Sequence, residues 1–162
     1  MSRYLKVCLL IGFFVAAASI PQSRAQDSKQ VENWLFKFYG KETLKPTLHL
    51  NLGGWSLGLL KMLDSSIDLK KDSPVDFDQI DWIRVQVYEF QRKPKGKIPA
   101  GLQKKFSHAG WNLILRSFSE GSHVVAFLKT EKNSNASVTV FVQDEEELVV
   151  IGLGGKIAKD SV

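Results

Sequence analysis

The second half of the chain limits the fold most tightly, because short segments with alternating apolar residues follow one another there with only brief polar turns between them. The turns are rich in Gly, Ser, Asn, Asp and Glu. Strands joined by connections this short must run antiparallel, since a parallel pair needs a crossover of about a dozen residues or more. The sequence therefore predicts a four-strand antiparallel meander over residues 111–118, 123–129, 137–143 and 148–153.

Two further strands and three helices are predicted upstream of this meander. Residues 80–90 alternate in the manner of a strand, and residues 47–52 form a short additional one. Apolar stripes with helical spacing lie between Asp27 and Gly40, over residues 55–63, and from Pro99 to Gly110. Because the helices come mainly from the first half of the chain, the prediction is an α+β domain: an antiparallel sheet of about five strands with two or three helices packed on one face. The predicted core is Trp34, Leu35, Phe38, Leu59, Leu60, Leu63, Ile83, Val85, Val87, Leu102 and Phe106, together with alternating apolar residues of the last four strands.

Residues 1–25 have the pattern of a cleaved signal peptide. Arg3 and Lys6 precede an apolar stretch over residues 7–20, and Ser23 and Ala25 occupy the −3 and −1 positions of a cleavage site. A transmembrane helix is the alternative, but about 14 residues span only ~21 Å of a ~30 Å hydrocarbon core. The prediction is an exported protein, periplasmic or extracellular, whose residues 26–162 form a single domain with no transmembrane anchor.

Removal of the signal peptide changes the composition of the chain. Cys8 leaves with it, so the mature chain would have no thiol for a disulfide, a catalytic nucleophile or a metal ligand. The remaining 19 basic and 17 acidic residues bring the formal net charge from +5 to +2. Net charge of this size does not indicate a nucleic-acid partner.

Two surfaces are candidates for binding. The first is a basic loop and the start of the next helix, whose charges would attract an anionic lipid or polysaccharide; a solvated turn around Pro94 and Gly96 is the alternative. Its residues are Arg92, Lys93, Lys95, Lys97, Lys104 and Lys105. The second is a mixed polar and aromatic face of the strand over residues 80–90, which has the composition of an open sheet face and equally of a protein-binding surface. Its residues are Trp82, Arg84, Gln86 and Tyr88.

No pattern of catalytic, cofactor-binding or metal-binding residues is found in the sequence. His49, His108 and His123 are scattered, and no pair has the spacing of a zinc motif. The glycines over residues 152–155 resemble a phosphate loop, but no helix follows to supply the amides that bind phosphate. We therefore predict that this segment is the end of a strand, and we expect no catalytic residue, cofactor or metal.

The order of segments is similar to that of a known family. A short helix rich in Trp and Phe is followed by "SLGLLKMLD", "IDWIRVQVYEF", "HAGWNLILRSF" and finally "ELVVIGLGGKI". This order, over residues 28–158, resembles the secreted bacterial family called domain of unknown function 4252. The resemblance implies an exported bacterial protein of uncharacterised role, and it carries no catalytic or binding residue that can be transferred.

These observations together favour a non-catalytic module of the bacterial envelope that binds another protein or an envelope component. A binder of anionic lipid or polysaccharide through the basic loop is an alternative, and a small periplasmic hydrolase is a further one. Acid–base and nucleophilic catalysis require titratable groups held in position, and the sequence shows no such arrangement.

Overall fold

The computed structural model describes residues 22–54, 79–94, 96–119, 121–130 and 135–156. This part of the chain contains two helices and six strands. In chain order they are α1 (Gln22–Tyr39), β1 (Leu44–Gly53), β2 (Ile80–Phe90), α2 (Ala100–His108), β3 (Asn112–Ser119), β4 (Ser122–Thr130), β5 (Asn135–Gln143) and β6 (Glu147–Lys156). The predicted helix over residues 55–63 and the polar stretch over residues 64–78 lie outside the described residues.

All six strands belong to one antiparallel sheet with the order β1-β2-β6-β5-β4-β3. Strands β3 to β6 form the predicted meander, in which each strand pairs with the next one in the chain. Strand β2 then pairs with β6, so that Tyr88 lies opposite Leu148, and β1 pairs with the other side of β2. Strands β1 and β3 are therefore the two edges of the sheet.

Both helices contribute to a buried cluster on one face of the sheet. Phe106 of α2 is at its centre: its ring stacks on Phe127 with a centroid distance of 4.6 Å and meets Phe141 edge-on at 5.2 Å. Trp34 of α1 also meets Phe106 edge-on, at 5.2 Å. Offset and edge-to-face ring pairs contribute about 0.5–1.5 kcal/mol beyond their buried area. The aromatic side chains therefore hold both helices against the same end of the sheet.

A second buried cluster lies on the opposite face, and its described members are all strand residues. Val85 and Val87 of β2 point to this face because successive side chains of a strand alternate, and Val149 of β6 and Leu50 of β1 join them. The predicted core is thus divided. Leu35, Leu102 and Phe106 belong to the helix-covered cluster with Trp34 and Phe38 at its margin, and Val85 and Val87 belong to the other with Ile83 at its margin. Leu59, Leu60 and Leu63 lie outside the described residues. Of the last four strands, β4, β5 and β6 supply buried apolar residues, but the prediction is wrong for the edge strand β3, in which every residue is exposed.

The prediction of an α+β fold is wrong, because the described chain is mostly β, with one six-strand sheet and two short helices. One reason is that β1 is longer than predicted: it begins at Leu44 and pairs with β2 along its whole length. An irregularity in the register between Pro46 and Leu48 accommodates the proline, which is tolerated on an edge strand. A separate difference from the prediction is that α1 begins at Gln22, before the predicted capping residue Asp27.

Candidate anion-binding cleft

A cleft of about 580 Å³ opens between the start of α2 and the strands β3 and β4. The segment that leads into α2 forms one wall, and side chains of the edge strand β3 form the other. Its lining residues are Lys97, Ile98, Pro99, Ala100, Gln103, Arg116, Ser117, Phe118 and His123.

His123 of β4 is the buried titratable group of the cleft, with only 4% of its surface exposed. Its Nδ1 accepts a hydrogen bond of 2.9 Å from the backbone N–H of Ile98, so the proton of the neutral ring is on Nε2. Burial lowers the pKa of His123, and the nearby charges of Lys97 and Arg116 lower it further. The imidazole is therefore held neutral and presents Nε2 as a hydrogen-bond donor.

Two cations flank this imidazole. Lys97 Nζ lies 4.7 Å from the centroid of the Phe118 ring, within the range of a cation–π interaction. Arg116 Nη2 donates a hydrogen bond to Gln103 Oε1, which ties β3 to α2. Among the described residues neither cation forms an ion pair with a carboxylate. The cleft therefore combines positive charge with N–H donors, which is the chemistry that binds an anionic oxygen group.

Two linked, partly buried hydrogen bonds hold the loop that carries Lys97. Tyr39 Oη donates to Gln143 Oε1 at 2.5 Å, and Gln143 Nε2 donates to the carbonyl oxygen of Gly96 at 2.6 Å. Gly96 has a φ of +84°, a backbone conformation that favours glycine. Burial raises the pKa of Tyr39, so its hydroxyl stays a donor. The end of α1 and strand β5 thus fix the loop at the position where Lys97 enters the cleft.

The basic residues predicted to form one surface do not all lie together in the structure. Arg92, Lys104 and Lys105 are exposed, and Lys95 lies outside the described residues. Lys93 Nζ is 2.8 Å from Glu145 Oε1, where the loop meets the β5–β6 turn. Of the five predicted basic residues that the structure describes, Lys97 alone lines the cleft.

Arg116 was not predicted as a binding residue from the sequence, and neither was His123. Arg116 is a single cation within an apolar strand, and His123 has no other histidine at a motif spacing. A weak signal was nevertheless present: residues 92–119 contain seven Lys and Arg residues and no Asp or Glu. The convergence of Arg116 and His123 with Lys97 depends on the sheet pairing, because that pairing places β3 and β4 beside the start of α2.

The predicted sheet-face surface of β2 is largely internal. Tyr88 and Gln86 are buried, and the Tyr88 ring meets Phe36 of α1 edge-on at 6.2 Å. Arg84 is also buried, and its Nε donates to Asn51 Oδ1 at 3.1 Å. Trp82 is half-buried, with Arg84 Cζ 5.3 Å from its ring centroid. These side chains therefore pack within the protein, on the face that the helices cover, and do not form an open face.

The described residues contain no group of three or more His, Cys, Asp or Glu side chains arranged to hold a metal ion. In the same part of the chain, neither helix is long and apolar enough to cross a membrane.

Comparison with family models, with curated proteins and with solved structures gives no match. The resemblance to the family called domain of unknown function 4252 therefore stays a prediction from the sequence.

Proposed function

We propose that the chain is an exported, non-catalytic binding module of the bacterial envelope, and that the cleft binds an anionic group of an envelope component. The observation that carries this proposal is the convergence of Lys97, Arg116 and His123 on one cleft. A phosphate or carboxylate in the cleft would accept hydrogen bonds from two cations and from the imidazole N–H. Bonds of this charged type are roughly twice as strong as neutral ones.

The hydrogen bond from Ile98 supports binding rather than catalysis at this site. A histidine that acts as a general base needs a ring nitrogen with a free lone pair. In the neutral His123 ring, the lone pair is on Nδ1 and already accepts the N–H of Ile98. The other nitrogen carries the proton, so the imidazole is arranged to donate to a ligand.

The test is a titration of the protein with inorganic phosphate and with glycerol phosphate, followed by nuclear magnetic resonance. We expect shifts of the Ile98 amide and of the His123 ring, and no such shifts with uncharged glycerol. The variant Arg116→Gln should weaken binding about tenfold, since a hydrogen bond to a charged group contributes roughly 1.5–3 kcal/mol.

The matched control is Lys45→Gln, which removes an exposed cation from β1 at the opposite edge of the sheet. This variant should bind both phosphates as the parent protein does. Equal weakening in both variants would mean that only net charge matters, and absence of shifts with either phosphate would contradict the proposal.

A further inference from the structure

Strand β3 exposes an unusual amount of apolar surface next to the cleft. All eight of its residues are exposed. The large hydrophobic side chains that are most exposed among the described residues all belong to it, with exposed fractions from 44% to 58%: Leu113, Ile114, Leu115 and Phe118. Because β3 is the last strand of the sheet, β4 pairs with one side of its backbone and the other side forms an edge. A concentration of large exposed apolar side chains on one edge strand is a candidate interaction site.

Among the described residues, the charged side chains next to this strand are all positive; Glu120 and Glu131, which follow β3 and β4 in the chain, lie outside the described residues. Arg116 lies within β3, and Lys97 lies over the Phe118 ring. Helix α2 is next to β3 through the contact between Arg116 and Gln103, and it presents Lys104 and Lys105 to solvent. Residues 92–119, which include both α2 and β3, contain no acidic residue.

We propose that β3 and the cleft beside it form a docking surface for a lipid bilayer that contains anionic phospholipids; this inference rests on the anion-binding role proposed for the cleft. The cleft takes the phosphate of a lipid headgroup, and the apolar side chains of β3 enter the boundary between headgroups and acyl chains. Apolar side chains flanked by Lys and Arg are the combination that holds proteins at such an interface.

The charge pattern favours a bilayer over a second copy of the chain at this edge. Pairing of two β3 strands would bring together the Lys and Arg side chains of both copies, and like charges at close distance repel. An anionic bilayer instead offers negative charge to the cations and an apolar layer to the exposed side chains. A single partner would thus account for both the positive charge and the exposed apolar side chains at the β3 edge.

The experiment measures co-sedimentation with vesicles of phosphatidylglycerol and phosphatidylethanolamine, and with neutral phosphatidylcholine vesicles, at low and high salt. The protein is used as recovered from the expressing cell, and every variant is compared in the same N-terminal form. We expect binding to the anionic vesicles at low salt and its loss at high salt. The double variant Leu113→Ser/Ile114→Ser should lower the partition coefficient about tenfold, since each residue buries apolar area on docking.

A matched pair of charge variants tests the orientation of the protein. Lys105→Ser should weaken vesicle binding, whereas Lys45→Ser, at the opposite edge of the sheet, should not. Thermal unfolding of each variant verifies that it is folded. Equal effects of the two lysine variants, or unchanged sedimentation of Leu113→Ser/Ile114→Ser, would overturn the inference.

Binding of glycerol phosphate separates this inference from the proposed function. Leu113 and Ile114 do not line the cleft, so their double variant should bind glycerol phosphate as the parent does. If the parent binds glycerol phosphate but no anionic vesicle, the proposal of bilayer docking is wrong, whereas the proposal of anion binding in the cleft is supported. If it binds neither, both proposals fail. A dimer in light scattering that dissociates in the double variant would assign the edge to a second copy and also overturn the inference.

Discussion

At the scale of single residues, His123 links the stability of the fold to the chemistry of the cleft. Its Nδ1 holds the backbone of Ile98, and burial together with Lys97 and Arg116 lowers its pKa. The unfolded chain therefore binds a proton more readily than the folded protein does as the pH falls. Protonation of Nδ1 would also remove the acceptor that Ile98 requires.

We predict that the free energy of unfolding falls as the pH decreases below the ordinary histidine value of 6.5. The contribution of neutral His123 is complete above that value, is lost progressively below it, and levels off once the pH is below the lowered pKa of the folded state. The variant His123→Asn should reduce this dependence, because the amide oxygen can accept the Ile98 N–H and does not titrate. Urea unfolding at several pH values between about 5 and 8 is the measurement.

Part of the dependence should remain in His123→Asn, because burial and Arg84 also lower the pKa of His49. The variant His49→Asn should remove that part. An unchanged pH dependence in His123→Asn would show that the ring titrates as it does in the unfolded chain.

At the scale of elements, the glycines of β6 have a packing role. The segment "GLGG" over residues 152–155 is strand, as the sequence predicted, and Trp82 of β2 lies across it. A Cβ atom at Gly154 would be 2.4 Å from Trp82 Nε1, and one at Gly152 would be 3.0 Å from Trp82 Cζ3. Both glycines are needed because the indole occupies the space of their missing side chains.

We predict that Gly154→Ala lowers the free energy of unfolding by about 1–3 kcal/mol, the usual cost of overpacking a well-packed site. Gly53→Ala is the matched control, since its Cβ would lie 3.5 Å from the nearest atom, an ordinary contact. That variant should change stability by less than about 0.5 kcal/mol. Urea unfolding compares the two, and the addition of Trp82→Ala should reduce the difference between glycine and alanine at position 154. Equal stability of Gly154→Ala and the parent would mean that Trp82 does not lie over β6.

At the scale of the whole molecule, the predicted cleavage after Ala25 falls within α1, which runs from Gln22 to Tyr39. The first buried side chain of this helix, among those that the structure describes, is Val31, and Leu35 follows one turn later. The described contacts that hold α1 on the sheet thus begin after the cleavage site, so cleavage leaves them in place.

We predict that protein recovered from the periplasm or the medium begins at Gln26 and is folded. N-terminal sequencing and intact mass are the measurements, and thermal unfolding of the same sample establishes that it is folded. Recovery of the protein in the membrane fraction with residues 1–25 intact would contradict export by a cleaved signal.

The strands of the meander and the buried faces of the helices could be predicted from local patterns in the sequence. Alternation with period two places Ile80–Phe90 as a strand with the bounds that the structure has. The short turns of β3 to β6 leave antiparallel pairing as the available arrangement, because a short connection cannot reach the start of a parallel strand. The stripe that includes Leu35, and the one that includes Leu102 and Phe106, likewise indicate the faces of α1 and α2 that are buried.

The position of β2 in the sheet, the face of β2 that α1 and α2 cover, and the meeting of Lys97 with Arg116 depend on long-range packing. Alternation shows that a strand has two different faces, but both faces of β2 are buried, and the helices cover the one with Gln86 and Tyr88 rather than the one with Val85 and Val87. The cleft takes Lys97 from a loop, Arg116 from β3 and His123 from β4. No local sequence motif marks any of these residues as part of a site. They form one cleft because the sheet brings β3 and β4 beside the start of α2, and such long-range contacts leave no local periodicity in the sequence.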